Sequence, residues 1–276
     1  MTPLVFTLVV AGISYAAGLL GSLVGVGGGI IVVPALTLLM GVGIQKAIAA
    51  SIVSVIATSS GAAASYLTER ITNMRLGMLL EVATVIGALT GAYLAEWVSV
   101  RGLYLTFALV LAYTAWSMLR PRGRAVEAVP DALADRLRLH GSFFDRSLGR
   151  EVPYRVSRTK LGLAVSYVAG VASGLLGIGG GVLKVPVMNL AMGLPIKVCT
   201  ATSNFMIGVT AATSAAVYFM RGEVLPFIAA PVAVGVLLGA KTGARLMGGM
   251  KNDAIKVVFV AVLAVSAAQM LNKGLR

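Results

Sequence analysis

The sequence predicts an all-α integral membrane protein made of two inverted repeats of about five membrane segments each, with a broken, Gly-rich hairpin in each repeat. Three observations carry this. First, 58% of the 276 residues are hydrophobic and only 12% are charged, about half the ~25% charge of a soluble domain, and the mean hydropathy is +0.92. Second, apolar runs recur near the length of about 20 residues that a helix needs to cross a bilayer; strands of a membrane barrel are shorter and alternate with period two. Third, GVGGGIIVVP at 25–34 returns as GIGGGVLKVP at 177–186.

The segments follow in order. Pro3–Val24 is the first apolar run. It lacks the basic start of a signal peptide and has an internal counterpart, so it is expected to stay in the mature protein. The glycines then break the helix, because a glycine run frees backbone entropy and exposes peptide groups. In a membrane such a break is tolerated where protein or a polar cavity surrounds it. Ile30–Met40 is a short apolar piece, followed by Ala47–Leu67, Leu76–Ala95 and Gly102–Leu119. Residues 1–119 form the first membrane repeat, 120–160 a basic loop and 161–276 the second repeat. Within the loop, DALADRLRLHG reads as a short amphipathic helix and GSFFDRSLGREVPYRV as a polar hairpin or loop. The second repeat runs Leu161–Leu176, the short Val182–Met192, Val198–Met220, Val224–Leu246 and Ala254–Leu271.

An offset of 152 residues aligns the halves without a gap. Between Tyr15 and Pro34, 10 of 20 positions match Tyr167–Pro186, Ser51 matches Ser203, Tyr66 matches Tyr218, and GALTGAYL (87–94) matches GAKTGARL (239–246). Gly87 and Gly91, with Gly235, Gly239 and Gly243, have the small-xxx-small spacing of close helix packing. The loop from Arg120 to Lys160 holds ten basic and five acidic residues, which puts it in the cytoplasm. If the short pieces after the glycines cross, the repeats are inverted, and Glu69, Arg70, Arg75, Arg245, Lys251 and Lys256 all fall inside. If they are re-entrant, the repeats are parallel and the last three move outside. The charge distribution favours the inverted reading.

Composition also narrows function. The net charge of +13 suits basic cytoplasmic loops, so no nucleic-acid partner is expected. One cysteine (Cys199) and one histidine (His140) build neither an intrachain disulfide nor a metal cluster nor a catalytic triad. No metal, no cofactor and no enzymatic activity are expected. No GxxxxGK[ST] loop occurs, which argues against ATP-driven transport by this chain. The expected partners are a small anionic substrate and the lipid bilayer; a homodimer is left open.

Paired breaks in the two halves point to a transporter's binding site. A helix that starts after the glycines aims free N–H groups and its positive dipole end at the break, which suits an anion. The candidate binding residues are therefore Gly27, Gly28 and Gly29 with Gly179, Gly180 and Gly181. Lys184 stands where the first copy has Val32, and a lysine in an apolar segment points to function. Ser51, Thr202, Ser203 and Asn204 offer donors to an oxyanion, though Ser and Thr also bond their own helix. Asn204 is the strongest of these, because an amide has no local backbone use at midhelix. Glu81, inside MLLEVATVIG, either carries a coupling proton or pairs with a basic neighbour at the cytoplasmic end.

These residues resemble a known family. GVGGGIIVVPAL and GIGGGVLKVPVMNL, the Gly-Leu-Pro-Ile-Lys turn and TATSNFMIGVTA are similar to the sulfite exporter TauE/SafE family of bacterial membrane transporters, over both halves. The resemblance implies a plasma-membrane carrier for a sulfur anion such as sulfite, thiosulfate or an organosulfonate like sulfoacetate, more often an exporter. With the paired breaks, the expectation is a secondary transporter working by alternating access; a passive anion channel is the alternative. Lys184 and Asn204 have no equivalents in the first half (Val32 and Ile52), so the expected site is asymmetric.

Overall fold

The computed structural model describes residues 3–119, 130–247, 249–250 and 252–275. Each half supplies five helical pieces in the same order. The first has α1 (Pro3–Val24), α2 (Gly29–Leu38), α3 (Ile44–Thr68), α4 (Met74–Leu94) and α5 (Val100–Leu119). Between the halves lie α6 (Ala132–Arg136), β1 (Gly141–Asp145) and β2 (Arg150–Tyr154). The second half has α7 (Thr159–Leu176), α8 (Gly181–Pro186) continued by a π-helical stretch (Val187–Ala191), α9 (Ile196–Met220), α10 (Pro226–Met247) and α11 (Asn252–Leu275).

Among the described residues, five helices are long and apolar enough to cross a membrane: those over Leu4–Val24, Ile44–Ala63, Met74–Leu94, Thr159–Leu176 and Pro226–Met247. Apart from the two-stranded β1–β2 hairpin, the described chain is mostly helical, consistent with an all-α membrane protein. The span expected at Val198–Met220 is not one of the five, although α9 forms there. Its lysine, hydroxyls and amide lower its hydropathy, and protein rather than lipid covers them: Lys197, Thr200, Thr202, Ser203, Asn204, Thr210 and Ser214 are all buried. The apolar stretches of α2, α5, α8 and α11 are shorter.

Packing follows the repeat. Helix α1 lies along α10 and its counterpart α7 along α4, while α3 pairs with α9 and α5 with α11. The small-residue spacing serves this contact. A Cβ at Gly239 or Gly243 would strike the carbonyls of Tyr15 or Leu19, and one at Gly87 or Gly91 those of Tyr167 or Val171. Backbones this close gain dispersion contact where no hydrophobic drive exists. The outer face of α4 turns Met78, Val82 and Ile86 away from the protein, as a lipid-facing stripe does.

Helices α3 and α9 pack together: Ser59 donates to the Asn204 carbonyl, and the Asn73 N–H, beyond α3, donates to the Thr202 hydroxyl. The β1–β2 hairpin, paired from Gly141↔Tyr154 to Asp145↔Arg150, sits against the end of α3 and the start of α9 together. Arg146 meets Glu69 at 3.1 Å and Lys197 meets Asp145 at 2.7 Å. The short helix expected over DALADRLRLHG covers only Ala132–Arg136. Asp131 caps its start, and Arg138 in the left-handed region (φ 50°), with Leu139 N–H returning to the Ala134 carbonyl, ends it.

Candidate functional site

Both glycine runs break their helices. The helices stop at Val24 and Leu176 and restart at Gly29 and Gly181, with left-handed Gly25 and Gly27 in the first break and their counterparts Gly177 and Gly179 in the second (φ 69–77°). Only glycine holds this region at no cost. The two breaks abut. A Cβ on Gly29 would meet the Gly177 carbonyl, and one on Gly181 the Gly25 carbonyl. Val55 and Ile207, themselves repeat partners, fill the space beside Gly27 and Gly179.

The hydroxyls beside this junction close it. Ser51 donates to the Gly177 carbonyl at 2.8 Å, and Ser203 to the Gly25 carbonyl at 2.5 Å. Tyr66 and Tyr218 brace the helices entering it, donating to the Ser22 and Gly174 carbonyls at 2.9 and 3.0 Å. The Gly28 N–H, expected to face an anion, donates to Thr58 at 3.1 Å. The Asn204 amide N–H₂ donates to Ser22 and to Thr200 of its own helix, at 2.9 and 3.1 Å. That corrects the expectation that this amide has no local backbone use. Its Oδ1 is buried without a hydrogen-bond partner. Thr202 accepts from the Asn73 N–H at 3.0 Å, tying α9 to the α3–α4 turn.

The charge lies to one side. Lys184 folds back so that its Cε approaches Gly180, and it is 1% exposed. It does not snorkel. Its ammonium stands 3.6 Å from Glu81 Oε2, and the Thr210 hydroxyl donates to Glu81 Oε1 at 2.6 Å. Lys184 Nζ also reaches Thr210 Oγ1 at 3.4 Å. Glu81 thus pairs with the lysine beside the break, not with Arg75, which points to the Arg138 carbonyl. The corresponding positions in the other half, by the 152-residue offset, are Val32, Thr58 and Ala233, so one member of the pair of sites is charged and its sister is not.

A family model described as "Sulfite exporter TauE/SafE" matches residues 10–270. The chain belongs to the sulfite exporter TauE/SafE family. Among its TauE/SafE relatives and similar proteins, a probable membrane transporter of Bacillus subtilis named YunE is 29% identical over 94% of this chain and 95% of its own length. A probable membrane transporter of Xylella fastidiosa is 26% identical over 92% of this chain and 89% of its own. Sulfite exporter TauE/SafE family protein 5 of Arabidopsis thaliana is 32% identical over 44% of this chain and 23% of its length. No solved structure matches the chain.

In this TauE/SafE chain the sequence reading names Glu81 and Lys184 separately and misses that they meet. The signal available was that each is the charged residue deepest in its own apolar run. It also misses the second buried pair, Lys197–Asp145, in which both side chains are 1% exposed. Nothing in a loop sequence tells which turn it will dock on.

Proposed function

We propose that this protein is a secondary transporter of a small anion, of the sulfur oxoanion or organosulfonate class, acting by alternating access in the plasma membrane with Lys184 as the charge that recognises the substrate. One observation carries the reading: a fully buried lysine lies against a glycine break, held only by Glu81 and Thr210 among the partners described. A cation inside a membrane segment is costly and is kept for a substrate or ion pathway. Sulfur chemistry and export come from the family description.

Inverted repeats fit the packing. The α3–α4 turn and the α8–α9 turn both meet the central hairpin, which supports the inverted over the parallel, re-entrant arrangement. Gly25, Gly29, Gly177 and Gly181 form the contact at which the halves would rock. The junction is filled by Val55 and Ile207, which supports a carrier over a passive anion channel.

Proteoliposomes test the reading. Sulfite, thiosulfate or sulfoacetate is expected to show saturable counterflow. The charge-neutral pair of changes Lys184→Met with Glu81→Gln, which leaves no lone buried charge, is expected to abolish it in protein that still purifies as a single species. Absence of counterflow for all three anions, or unaltered counterflow in the double variant, overturns the assignment.

A further inference from the structure

We infer that Glu81 is a built-in stand-in for the transported anion: substrate takes its place beside Lys184, and Glu81 leaves that pairing as a neutral carboxylic acid, so one proton travels with each anion. The inference rests on the reading of Lys184 as the substrate's cation.

Three features of the cluster carry it. The pair is loosely made. Lys184 and Glu81 approach only to 3.6 Å, beyond hydrogen-bond range, and Glu81 Oε2 is buried without a hydrogen bond. The second buried pair is closer: Lys197 bonds Asp145 Oδ1 at 2.7 Å, and the same oxygen accepts from the Ser147 N–H and hydroxyl at 2.9 and 2.7 Å, while Asp145 Oδ2, like Glu81 Oε2, has no hydrogen-bond partner among the described residues. A pair that only stabilises the fold gains most when its hydrogen-bonding capacity is filled. The Lys184–Glu81 pair lacks the direct ammonium–carboxylate bond that Lys197 and Asp145 make.

The corresponding place in the other half is also built without a charged pair. There Val32, Thr58 and Ala233 stand on the counterpart helices α2, α3 and α10, and Thr58 accepts from the Gly28 N–H instead. Finally, the partners of Glu81 allow both protonation states. Thr210 donates to Oε1 now, but a hydroxyl can equally accept from a protonated carboxyl. Among the described residues, Lys184 of α8 is the charged group set against Glu81; α9 offers the hydroxyl of Thr210, and α7, packed along α4, brings Gly170 and Gly174 against it at Thr84 and Ala88.

Charge conservation links these. The empty site holds one ammonium and one carboxylate and is neutral. Adding a monovalent anion leaves one uncompensated negative charge in a buried place, and a divalent anion leaves two, which is heavily disfavoured. A proton from the solution on the binding side, added to a Glu81 oxygen, restores neutrality for a monovalent anion and reduces the excess to one charge for a divalent one. When the anion leaves on the far side, the proton is released there and the Lys184–Glu81 pair re-forms. A monovalent anion then crosses electroneutrally with its proton, and a divalent one carries a single net charge.

Thiosulfate and sulfoacetate are fully ionised at neutral pH, so any proton taken up on binding belongs to the protein. With whichever of them shows counterflow, calorimetry in buffers of different ionisation enthalpy is expected to give uptake of one proton per anion. Affinity should fall about tenfold per pH unit where that proton is acquired, and an inward-acid pH gradient should change flux. Glu81→Gln is expected to bind more tightly at neutral pH and to lose both proton uptake and the pH slope, while Glu81→Asp keeps them. Counterflow without proton uptake in the wild-type protein overturns this inference and leaves the transporter reading standing. Absence of counterflow for both anions and for sulfite overturns both.

Discussion

At the residue scale the glycines separate into those held by backbone conformation and those held by space. Left-handed glycines recur at matching positions, 25 with 177 and 27 with 179, but Gly28 and Gly180 differ: Gly28 is helical (φ −68°) and Gly180 left-handed (φ 72°). Gly180→Ala therefore strains the backbone by about 1–2 kcal/mol, and its Cβ would lie 2.9 Å from the Ala169 carbonyl. Gly28→Ala needs only small adjustments of Val236, Thr58 and Ser54, 3.3–3.5 Å away. Thermal unfolding in detergent is expected to show the larger drop for Gly180→Ala; an equal or reversed order would contradict this conformational difference. Ser51→Ala and Ser203→Ala each orphan one carbonyl of the junction, costing about 1 kcal/mol apiece. Equal losses are expected because their bonds correspond, and a clear inequality would show that the two breaks are not equally loaded. The glycines, Ser51 and Ser203 were legible from spacing alone. That the serines would bond the opposite half's break was not, because hydroxyls at helix spacing serve a substrate, a neighbouring carbonyl or their own helix alike.

At the element scale, the hairpin is clamped between two turns. His140 contributes from its base: its Nδ1 accepts from the Val156 N–H at 3.0 Å, and its Nε2 meets Asp135 at 2.8 Å. Phe143 is buried beneath the strand and Phe144 faces outward. The strongest tie is Asp145 to Lys197. Burial alone would raise the Asp145 pKa, but the hydrogen bonds from Lys197 and Ser147 and the lysine's charge outweigh it and hold the carboxyl below its ordinary 3.8. A carboxylate depressed in the folded state stabilises above its unfolded pKa and loses that contribution as pH falls through the folded one. The clamp is therefore expected to be intact at neutral pH and to loosen only below about pH 4, seen as faster hydrogen exchange of the 141–154 amides after correction for intrinsic rates. Asp145→Asn should reproduce the loosening at neutral pH, at about 3–5 kcal/mol. Unchanged protection in that variant would show that the contact of Arg146 with Glu69 holds the hairpin by itself. Turn chemistry made the hairpin readable, with Gly149 left-handed (φ 65°) after the Asp145 turn. Its docking partner was not readable, because Lys197 sits in an apolar helix with no local mark of its mate.

At the scale of the whole molecule, the repeat makes a demand on topology. Position 70 in the α3–α4 turn corresponds to position 222 in the α9–α10 turn, and both residues, Arg70 and Gly222, are left-handed (φ 53° and 69°) at the end of their helices. Duplication has thus kept even the shape of this turn. The surroundings, however, are opposed. The first turn touches the hairpin through Glu69, whereas Arg221 beside the second bonds the Ala92 carbonyl and Glu96 near the end of α4, the end away from Asn73 and the hairpin. Under the proposed inverted arrangement, Arg70 is expected with the hairpin on one side of the membrane and Gly222 on the other. Single variants Arg70→Cys, Gly222→Cys and, at the hairpin tip, Leu148→Cys can be treated with a membrane-impermeant maleimide in intact and opened cells; native Cys199 is buried. Leu148→Cys and Arg70→Cys are expected to react only after opening, and Gly222→Cys in intact cells. Labelling of positions 70 and 222 from the same side would make the repeats parallel, and the opposed glycine breaks could then not exchange access between the two sides.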